Sequence, residues 1–179
     1  VGSNITLKYP KNGEYRSAYV IANIDDEPTD EAMVFYEYTS NGSEEDGLRV
    51  NILDKDENGK WYSVKELAGA GTDIDQVIIS PMGSNNQTDV FVGYQNLTND
   101  EKTMEIYSYT DGDFKRVALD TYSVLEPLDI NNDGYIELIT IQRSTNNDTG
   151  AVTAKASMLN MKNNEITRGA VSYTHLRAH

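Results

Sequence analysis

The chain contains no cysteine, and its only two histidines, His175 and His179, lie within the last five residues. Without cysteine it can form neither a disulfide framework nor a thiolate site. Without histidine in the body of the chain, Ser–His and Cys–His catalytic arrangements and His-ligated zinc or iron sites are excluded there. The sequence therefore lacks the side chains on which many catalytic sites depend.

Positive charge and long apolar runs are also scarce. Fifteen Lys and Arg residues stand against 29 Asp and Glu residues, which gives a net charge of −14. Phosphate groups of nucleic acids and anionic membranes would be repelled by this charge, so we expect neither as a partner. No apolar run approaches the ~18 residues that a membrane-spanning helix needs, so we expect no membrane insertion.

Both ends of the sequence look cut. The chain begins at Val1, with no initiating Met and no signal-like segment, so we expect any targeting signal to lie outside it. The last residues, VSYTHLRAH (171–179), resemble one reading frame of a widely used transposon-type sequencing adaptor read through at the end of a contig. The alternative is an ordinary strand followed by a basic tail. We expect a non-native tail, and residues 1–170 remain as a single domain.

Apolar residues alternate with polar ones along most of the chain, and helical periodicity is hard to find. A period of two, together with many Val, Ile and Tyr residues, predicts strands. The intervening clusters of Gly, Asn and Asp suit turns. The predicted strands are 18–24, 31–38, 48–54, 60–67, 75–80, 89–95, 104–110, 114–120, 136–142, 151–161 and 165–171. We therefore predict an all-β domain of antiparallel sheets.

Two features recur with a period of about 50 residues, which is typical of propeller blades and related arrays. Turn-forming residues that suit hairpins occur at Asn58-Gly59, Gly112 and Asn163-Asn164. An acidic residue begins the strand that follows each amide-rich or acidic loop, and these three repeat acids are Glu31, Asp89 and Glu137. We predict repeats at approximately 16–68, 69–120 and 121–170, forming about three blades of an incomplete β-propeller.

The stretch DINNDGYIEL, residues 129–138, carries oxygen-bearing side chains on alternate positions, as a calcium loop does. The candidate calcium ligands are Asp129, Asn131, Asp133, the carbonyl of Tyr135 and Glu137. Gly134 would permit the sharp bend. An EF-hand is disfavoured because its twelfth position holds Thr140 instead of a bidentate acid, and because residues 136–142 alternate like a strand. A polar turn without metal is the alternative.

This loop resembles the FG-GAP/VCBS-type repeats of β-propellers, which follow the pattern D-x-[DN]-x-D-G-x-x-[DE]-L before a hydrophobic strand. The matching residues are Asp129, Asn131, Asp133, Gly134, Glu137 and Leu138. The resemblance extends over residues 16–170, and YPKNGEYRSAYVIANIDDEPTDEAMVFYEY and GAGTDIDQVIIS are also similar to VCBS-repeat surface proteins of anaerobic Gram-positive bacteria. It implies an extracellular or cell-surface propeller, often lipid-anchored, with calcium in some blade loops.

The corresponding loops of the other two repeats carry weaker ligand sets. In the first repeat the equivalent positions hold Asn23, Asp25, Glu27 and Glu31. Pro28 replaces the glycine there, so we expect a degraded loop rather than a working calcium site. In the second repeat the equivalent positions hold Pro81, Gly83, Asn85 and Asp89. We expect no metal in that loop, because only Asp89 is charged.

Two functions remain open at this point. We favour a non-catalytic, calcium-stabilised surface module that binds a protein or carbohydrate ligand or acts as a scaffold, because turns or cation ligation explain each acidic cluster. The alternative is part of a propeller-type polysaccharide-degrading enzyme, in which paired carboxylates would act. Three blades cannot close a propeller, so we also expect self-association through open edge strands.

Overall fold

The computed structural model describes residues 4–40, 46–83, 86–97 and 100–170. Over these residues the protein consists of β-strands and connecting loops, without a helix, which confirms the predicted all-β class. It follows that no described segment is a helix long and apolar enough to cross a membrane. The predicted non-native tail, residues 171–179, lies outside the described residues.

Thirteen strands in the described residues form three antiparallel sheets that follow one another along the chain. The first sheet contains β1 (Asn4–Leu7), β2 (Tyr19–Ala22), β3 (Glu31–Thr39), β4 (Gly47–Lys55) and β5 (Trp61–Ala68). The second contains β6 (Asp73–Ser80), β7 (Asp89–Gln95), β8 (Lys102–Thr110) and β9 (Asp113–Tyr122). The third contains β10 (Val124–Leu128), β11 (Glu137–Thr145), β12 (Val152–Lys162) and β13 (Glu165–Ala170). In the second and third sheets each strand pairs with the next, as in a propeller blade.

The first sheet differs from the others at its first edge. Two short strands share one side of β3, with β2 along its N-terminal half and β1 along its C-terminal half. The segment between them, residues 8–18, crosses to the second sheet. There the backbone amides of Lys11 and Asn12 donate hydrogen bonds to the carbonyls of Ile74 and Asp75, at 3.2 and 2.8 Å. This segment therefore ties the first two sheets together at the start of β6.

The three predicted hairpin turns are present, and they join β4 to β5, β8 to β9 and β12 to β13. Their central residues adopt left-handed backbone conformations, with φ of 75° at Gly59, 76° at Gly112, 52° at Asn163 and 62° at Asn164. Glycine and asparagine tolerate positive φ better than other residues, so the choice of side chain at each turn has a local physical cause.

Two hydrophobic clusters fill the spaces between consecutive sheets. The cluster between the first and second sheets includes Met33, Phe35, Val50, Val90, Val92 and Tyr94. The cluster between the second and third sheets includes Phe91, Met104, Ile106, Leu138 and Leu159. Because successive strand residues point to opposite faces, β7 contributes to both clusters. The second sheet is therefore covered on both faces by the other two, and the first and third sheets are each covered by it on one face.

The strands β1 and β10 are not predicted by the sequence pattern. β1 has only four residues, and all of them are exposed, so it lacks alternation of buried and exposed positions. β10 contains Pro127, and a proline within a run counts against a strand. The proline is tolerated because β10 is an edge strand, with one side free of a partner in its sheet.

Candidate functional site

The repeat acids occupy the same place in all three sheets. They are the first residues of β3, β7 and β11, each of which lies directly inside the first edge of its sheet, and each side chain is buried. Each carboxylate accepts a hydrogen bond from the backbone amide seven residues upstream: Glu31 from Ile24 at 2.8 Å, Asp89 from Met82 at 2.9 Å and Glu137 from Ile130 at 2.9 Å. A buried carboxylate thus holds each loop against the strand that follows it.

The third loop, residues 129–137, bends around its own acidic side chains. The carboxylate of Asp129 accepts hydrogen bonds from the amides of Asp133 and Gly134, at 3.1 and 3.0 Å. The carboxylate of Asp133 accepts one from the amide of Tyr135 at 2.9 Å. Gly134 has a φ of 88°, which most side chains would disfavour. The structure therefore contains the sharp bend that the sequence predicts at this glycine.

The side chain of Asn131 lies between two carboxylates of the third loop. Its Nδ2 donates hydrogen bonds to Asp133 Oδ2 at 2.9 Å and to Glu137 Oε1 at 3.4 Å. These three side chains border a cavity of about 250 Å³ beside β12. The predicted residues Asn131, Asp133 and Glu137 are therefore brought together, and an amide NH₂ group provides the partial positive charge between the acids.

Calcium in the third loop stays a prediction. Across the described part of the chain, no group of three or more His, Asp and Glu side chains is arranged to hold a metal ion. The chemistry of the third loop nevertheless fits calcium, because three carboxylates, an amide and a main-chain carbonyl all offer oxygen. To ligate a cation, Asn131 would have to turn its carbonyl oxygen, instead of its NH₂ group, towards the ion that Asp133 and Glu137 also hold.

The first loop, residues 23–31, forms its turn in a different way. Asn23 Nδ2 donates to the carbonyl of Glu27 at 2.7 Å, and Asp25 Oδ1 accepts from the amide of Glu27 at 2.7 Å. Glu31 is only 1 % exposed. Its Oε2 accepts the upstream amide, whereas its Oε1 has no hydrogen-bond partner among the residues that the structure describes. This buried carboxylate oxygen is therefore left without a hydrogen bond in the described part of the chain, although the backbone amides of Ile24 and Asp25 oppose the rise in the pKa of Glu31 that burial causes.

The second carboxylate oxygen distinguishes the three repeat acids. In Asp89 it accepts a hydrogen bond from the hydroxyl of Ser108, and in Glu137 one from Asn131. In Glu31 burial raises the pKa above its ordinary value, and the nearby negative charge of Asp25 adds to the rise. The sequence identified the first loop only as degraded. No motif reveals the unpaired oxygen, because it depends on what the folded chain places beside it.

The second loop uses its acid for the protein's own hydrogen bonds. The amides of Met82 and Gly83 both donate to Asp89 Oδ2, at 2.9 and 3.2 Å, and Ser108 donates to Oδ1. Burial raises the pKa of Asp89, and these hydrogen bonds oppose the rise. Asn85, one of the positions compared with calcium ligands, lies outside the described residues.

A buried network at the start of β6 was not predicted from the sequence. Lys102 Nζ lies 2.8 Å from Asp75 Oδ1, which also accepts a hydrogen bond from Asn12 Nδ2 at 2.9 Å. Tyr122 donates its hydroxyl to Asp75 Oδ2 at 2.6 Å, and burial raises the pKa of Tyr122. The network borders a cavity of about 580 Å³ between β6 and β10. Its members are far apart in the sequence, so no local pattern could have found it.

The fold defines the chain as an all-β protein of three blade-like antiparallel sheets. No family model matches its sequence, and no match occurs among curated proteins or among solved structures. The similarity to FG-GAP/VCBS repeats therefore rests on the third loop, on the repeat spacing and on the two similar segments at 9–38 and 69–80. It stays a hypothesis, and the same holds for the location and the ligands that it implies.

Proposed function

We propose that this protein is a non-catalytic, calcium-stabilised module of FG-GAP/VCBS-like repeats that acts at the cell surface or outside the cell. There it binds a protein or carbohydrate ligand or serves as a scaffold. The observation that carries the proposal is the third loop, where Asn131 joins Asp133 and Glu137 and the backbone wraps Asp129. The location and the kind of ligand follow from the resemblance.

Calcium would supply positive charge where the third loop gathers negative charge. The ion would be held by Asp129, Asn131, Asp133, Glu137 and the carbonyl of Tyr135. It would offset the mutual repulsion of three carboxylates and fix the bend at Gly134. The net charge of −14 also favours a cation over an anionic ligand.

The test of this proposal is calcium-dependent thermal stability. We expect millimolar calcium to raise the Tm of the wild-type protein relative to EDTA, because a ligand at about 100 times its Kd adds about 2.7 kcal/mol of stability. The double substitution Asp129→Asn with Asp133→Asn should abolish the rise. Asparagine keeps an acceptor oxygen for the turn and removes the charge.

A matched control removes the same charge from other turns. Asp56→Asn with Asp148→Asn changes two exposed aspartates outside the third loop, and the calcium response should persist. Titration calorimetry then counts the ions bound. An equal rise in Tm for the Asp129/Asp133 variant would reject the third loop as the calcium site.

The alternative, part of a polysaccharide-degrading enzyme, is favoured by one observation. Glu14 and Glu126 border the same cavity of about 580 Å³ between β6 and β10. A glycosidase needs two carboxylates across such a cleft. The buried acid of that cavity, Asp75, is engaged by Asn12, Lys102 and Tyr122. The test is an assay for reducing ends released from a panel of polysaccharides. Release that is lost in Glu14→Gln and in Glu126→Gln would establish the enzyme. No release from any polysaccharide of the panel would leave the binding module as the function.

A further inference from the structure

Two strands of neighbouring sheets present a free edge to the same cavity. β6 begins the second sheet and β10 begins the third, so each has one side without a partner among the described strands. The cavity of about 580 Å³ between them, which we call the edge cavity, is bordered by the consecutive residues 75–80 and 123–127. Successive side chains of a strand point to opposite faces, so a cavity that meets every residue in turn lies at the strand edge.

The side chains of β6 show the same arrangement. Val77 and Ile79 pack in the first hydrophobic cluster, whereas Ile78 packs against the second cluster on the opposite face. All three residues nevertheless border the edge cavity. What they share is the backbone, so the cavity is bordered by amide and carbonyl groups on the free side of β6. Both walls belong to described neighbouring sheets, so the cavity does not depend on how many sheets the whole protein contains.

The free side of β6 is paired at both ends and open between them. Residues 11–12 donate two backbone hydrogen bonds to carbonyls at the start of β6, and Ile136 donates one to the carbonyl of Pro81, just beyond its end, at 2.9 Å. The first segment stops pairing at Gly13, whose φ is 81°. No described backbone group bonds to the free side of residues 76–80. Five positions, a length of about 16 Å, are therefore open to an added strand.

Of the two edges, β6 is the better one for pairing. Its sequence contains no proline, so each of its residues keeps an amide donor. β10 contains Pro127 and is poorer in donors. An added strand would therefore pair with β6, and β10 would form the opposite wall.

The edge cavity carries an excess of negative charge. Glu14, Asp75 and Glu126 border it, and Lys102 is the one basic residue along its described lining. Lys102 lies 2.8 Å from Asp75, so these two charges offset each other. Glu14 and Glu126 are exposed, and neither carboxylate has a hydrogen bond or an ion pair within the part of the chain that the structure describes. Two uncompensated carboxylates beside a free strand edge favour a ligand of positive charge.

We propose that the edge cavity binds an extended basic peptide, which adds as a strand to residues 76–80 while its Lys or Arg side chains meet Glu14 and Glu126. In this mode main-chain hydrogen bonds give affinity and alternate side chains give specificity. A polysaccharide lacks the regular repeat of amide donors and carbonyl acceptors that a strand edge matches. The inference rests on the proposed binding function, for which it names the ligand class and the site.

The experiment is a titration with the peptide acetyl-Val-Lys-Val-Lys-Val-amide in calcium-containing buffer, followed by NMR of the backbone amides. We expect chemical-shift changes at residues 76–80 and slower hydrogen exchange there, because new hydrogen bonds protect the amides. β13, the outer edge of the third sheet, is the comparison and should be unaffected. The acidic peptide acetyl-Val-Glu-Val-Glu-Val-amide should not bind. Two versions of the basic peptide are N-methylated on alternate residues, and the version whose methyl groups point at β6 should lose binding.

Variants of the protein test the charge. Glu14→Gln and Glu126→Gln should each weaken peptide binding about two- to fivefold at low salt, and less at high salt. Glu57→Gln and Glu165→Gln remove the same charge from exposed positions that do not border the edge cavity, and they should leave binding unchanged. All four side chains are exposed, so every variant should keep its fold.

Other outcomes would overturn the proposal. Equal binding of the acidic and basic peptides would contradict recognition by charge, and binding of both N-methylated versions would contradict strand pairing. Changes at β13 instead of β6 would place the pairing at an outer edge. Changes at residues 76–80 with cellohexaose, and none with the peptide, would assign the cavity to carbohydrate.

Two results separate this inference from the function on which it rests. Amides of residues 76–80 that are already protected without peptide would show that the chain itself fills the edge cavity, and the proposal would fail. Absence of peptide binding in a protein whose Tm still responds to calcium would overturn the inference alone. A Tm that does not respond to calcium would instead count against the proposed function.

Discussion

Glu31 accepts the backbone amide of Ile24 on one carboxylate oxygen and buries the other without a partner among the described residues. Asp89 and Glu137, at the same place in their sheets, have both oxygens engaged. The three repeats therefore share the hydrogen bond from the upstream amide. They differ in which group, if any, donates to the second carboxylate oxygen of the repeat acid. Leaving a buried polar atom unpaired is costly, so the first repeat holds the least favourable version.

Glu31→Gln should stabilise the calcium-free protein at neutral pH. The folded state raises the pKa of Glu31, so it binds the proton more tightly than the unfolded state does. The cost of the ionised acid is therefore present above the raised pKa, and it disappears as the pH falls below the ordinary value of 4.5. Thermal melting in EDTA from pH 4 to 8 should show a gain in Tm that shrinks towards low pH.

The matched control is Glu165→Gln, which removes one negative charge from an exposed position. It should change the Tm little at any pH. A Glu31→Gln variant that is less stable by the same amount at every pH would contradict the prediction. If a cation occupies the first loop, calcium should stabilise the wild type and remove the advantage of the variant.

Asp89→Ala should destabilise the protein by about 2–4 kcal/mol, because it leaves two amides and a hydroxyl without their buried acceptor. The donors are Met82, Gly83 and Ser108. Ser108→Ala removes a single hydrogen bond and should cost less. We expect about 1 kcal/mol for the lost bond, plus the cost of leaving Asp89 Oδ1 without its donor. Urea denaturation in calcium-free buffer measures both. A loss below about 0.5 kcal/mol for Asp89→Ala would refute a structural role for this acid.

Gly93 and Tyr122 should show strong coupling. A Cβ atom at Gly93 would overlap the hydroxyl oxygen of Tyr122, so Gly93→Ala should cost about 1–3 kcal/mol or more. Tyr122→Phe loses the hydrogen bond to buried Asp75, at a cost of about 1–3 kcal/mol. The double variant Gly93→Ala with Tyr122→Phe should lose less stability than the sum of the two single losses, because the methyl group added at position 93 no longer meets the hydroxyl of Tyr122. Additive losses in a double-mutant cycle would count against this overlap.

Lys102→Met should destabilise the protein by about 3–5 kcal/mol, because it leaves Asp75 buried without its ion pair. Lys115→Met provides the comparison. Lys115 pairs with Asp111 at the same 2.8 Å, but both side chains are largely exposed to solvent. That pair should be worth no more than about 1 kcal/mol. Equal losses for the two variants in chemical denaturation would disprove a special role for the buried pair.

Local patterns predicted much of the fold, because strands and turns have local causes. Alternating residues placed β7 at 89–95, and Asn163 and Asn164 marked the turn before β13. The same patterns predicted that Asn131 and Glu137 belong to one loop, where the two side chains are in contact. They did not predict the contact of Asp75 with Lys102 and Tyr122, since that contact depends on how strands far apart in the sequence pack.

The proline that hid β10 from the sequence pattern has a consequence for the integrity of the protein. An edge strand offers unpaired amides and carbonyls to any passing chain, and repeated addition of strands leads to fibres. Pro127, the fourth of the five residues of β10, has no amide hydrogen, so an added strand would lack a donor at that position. Growth of ordered aggregates from the third sheet is therefore interrupted at the position where the strand was hardest to recognise.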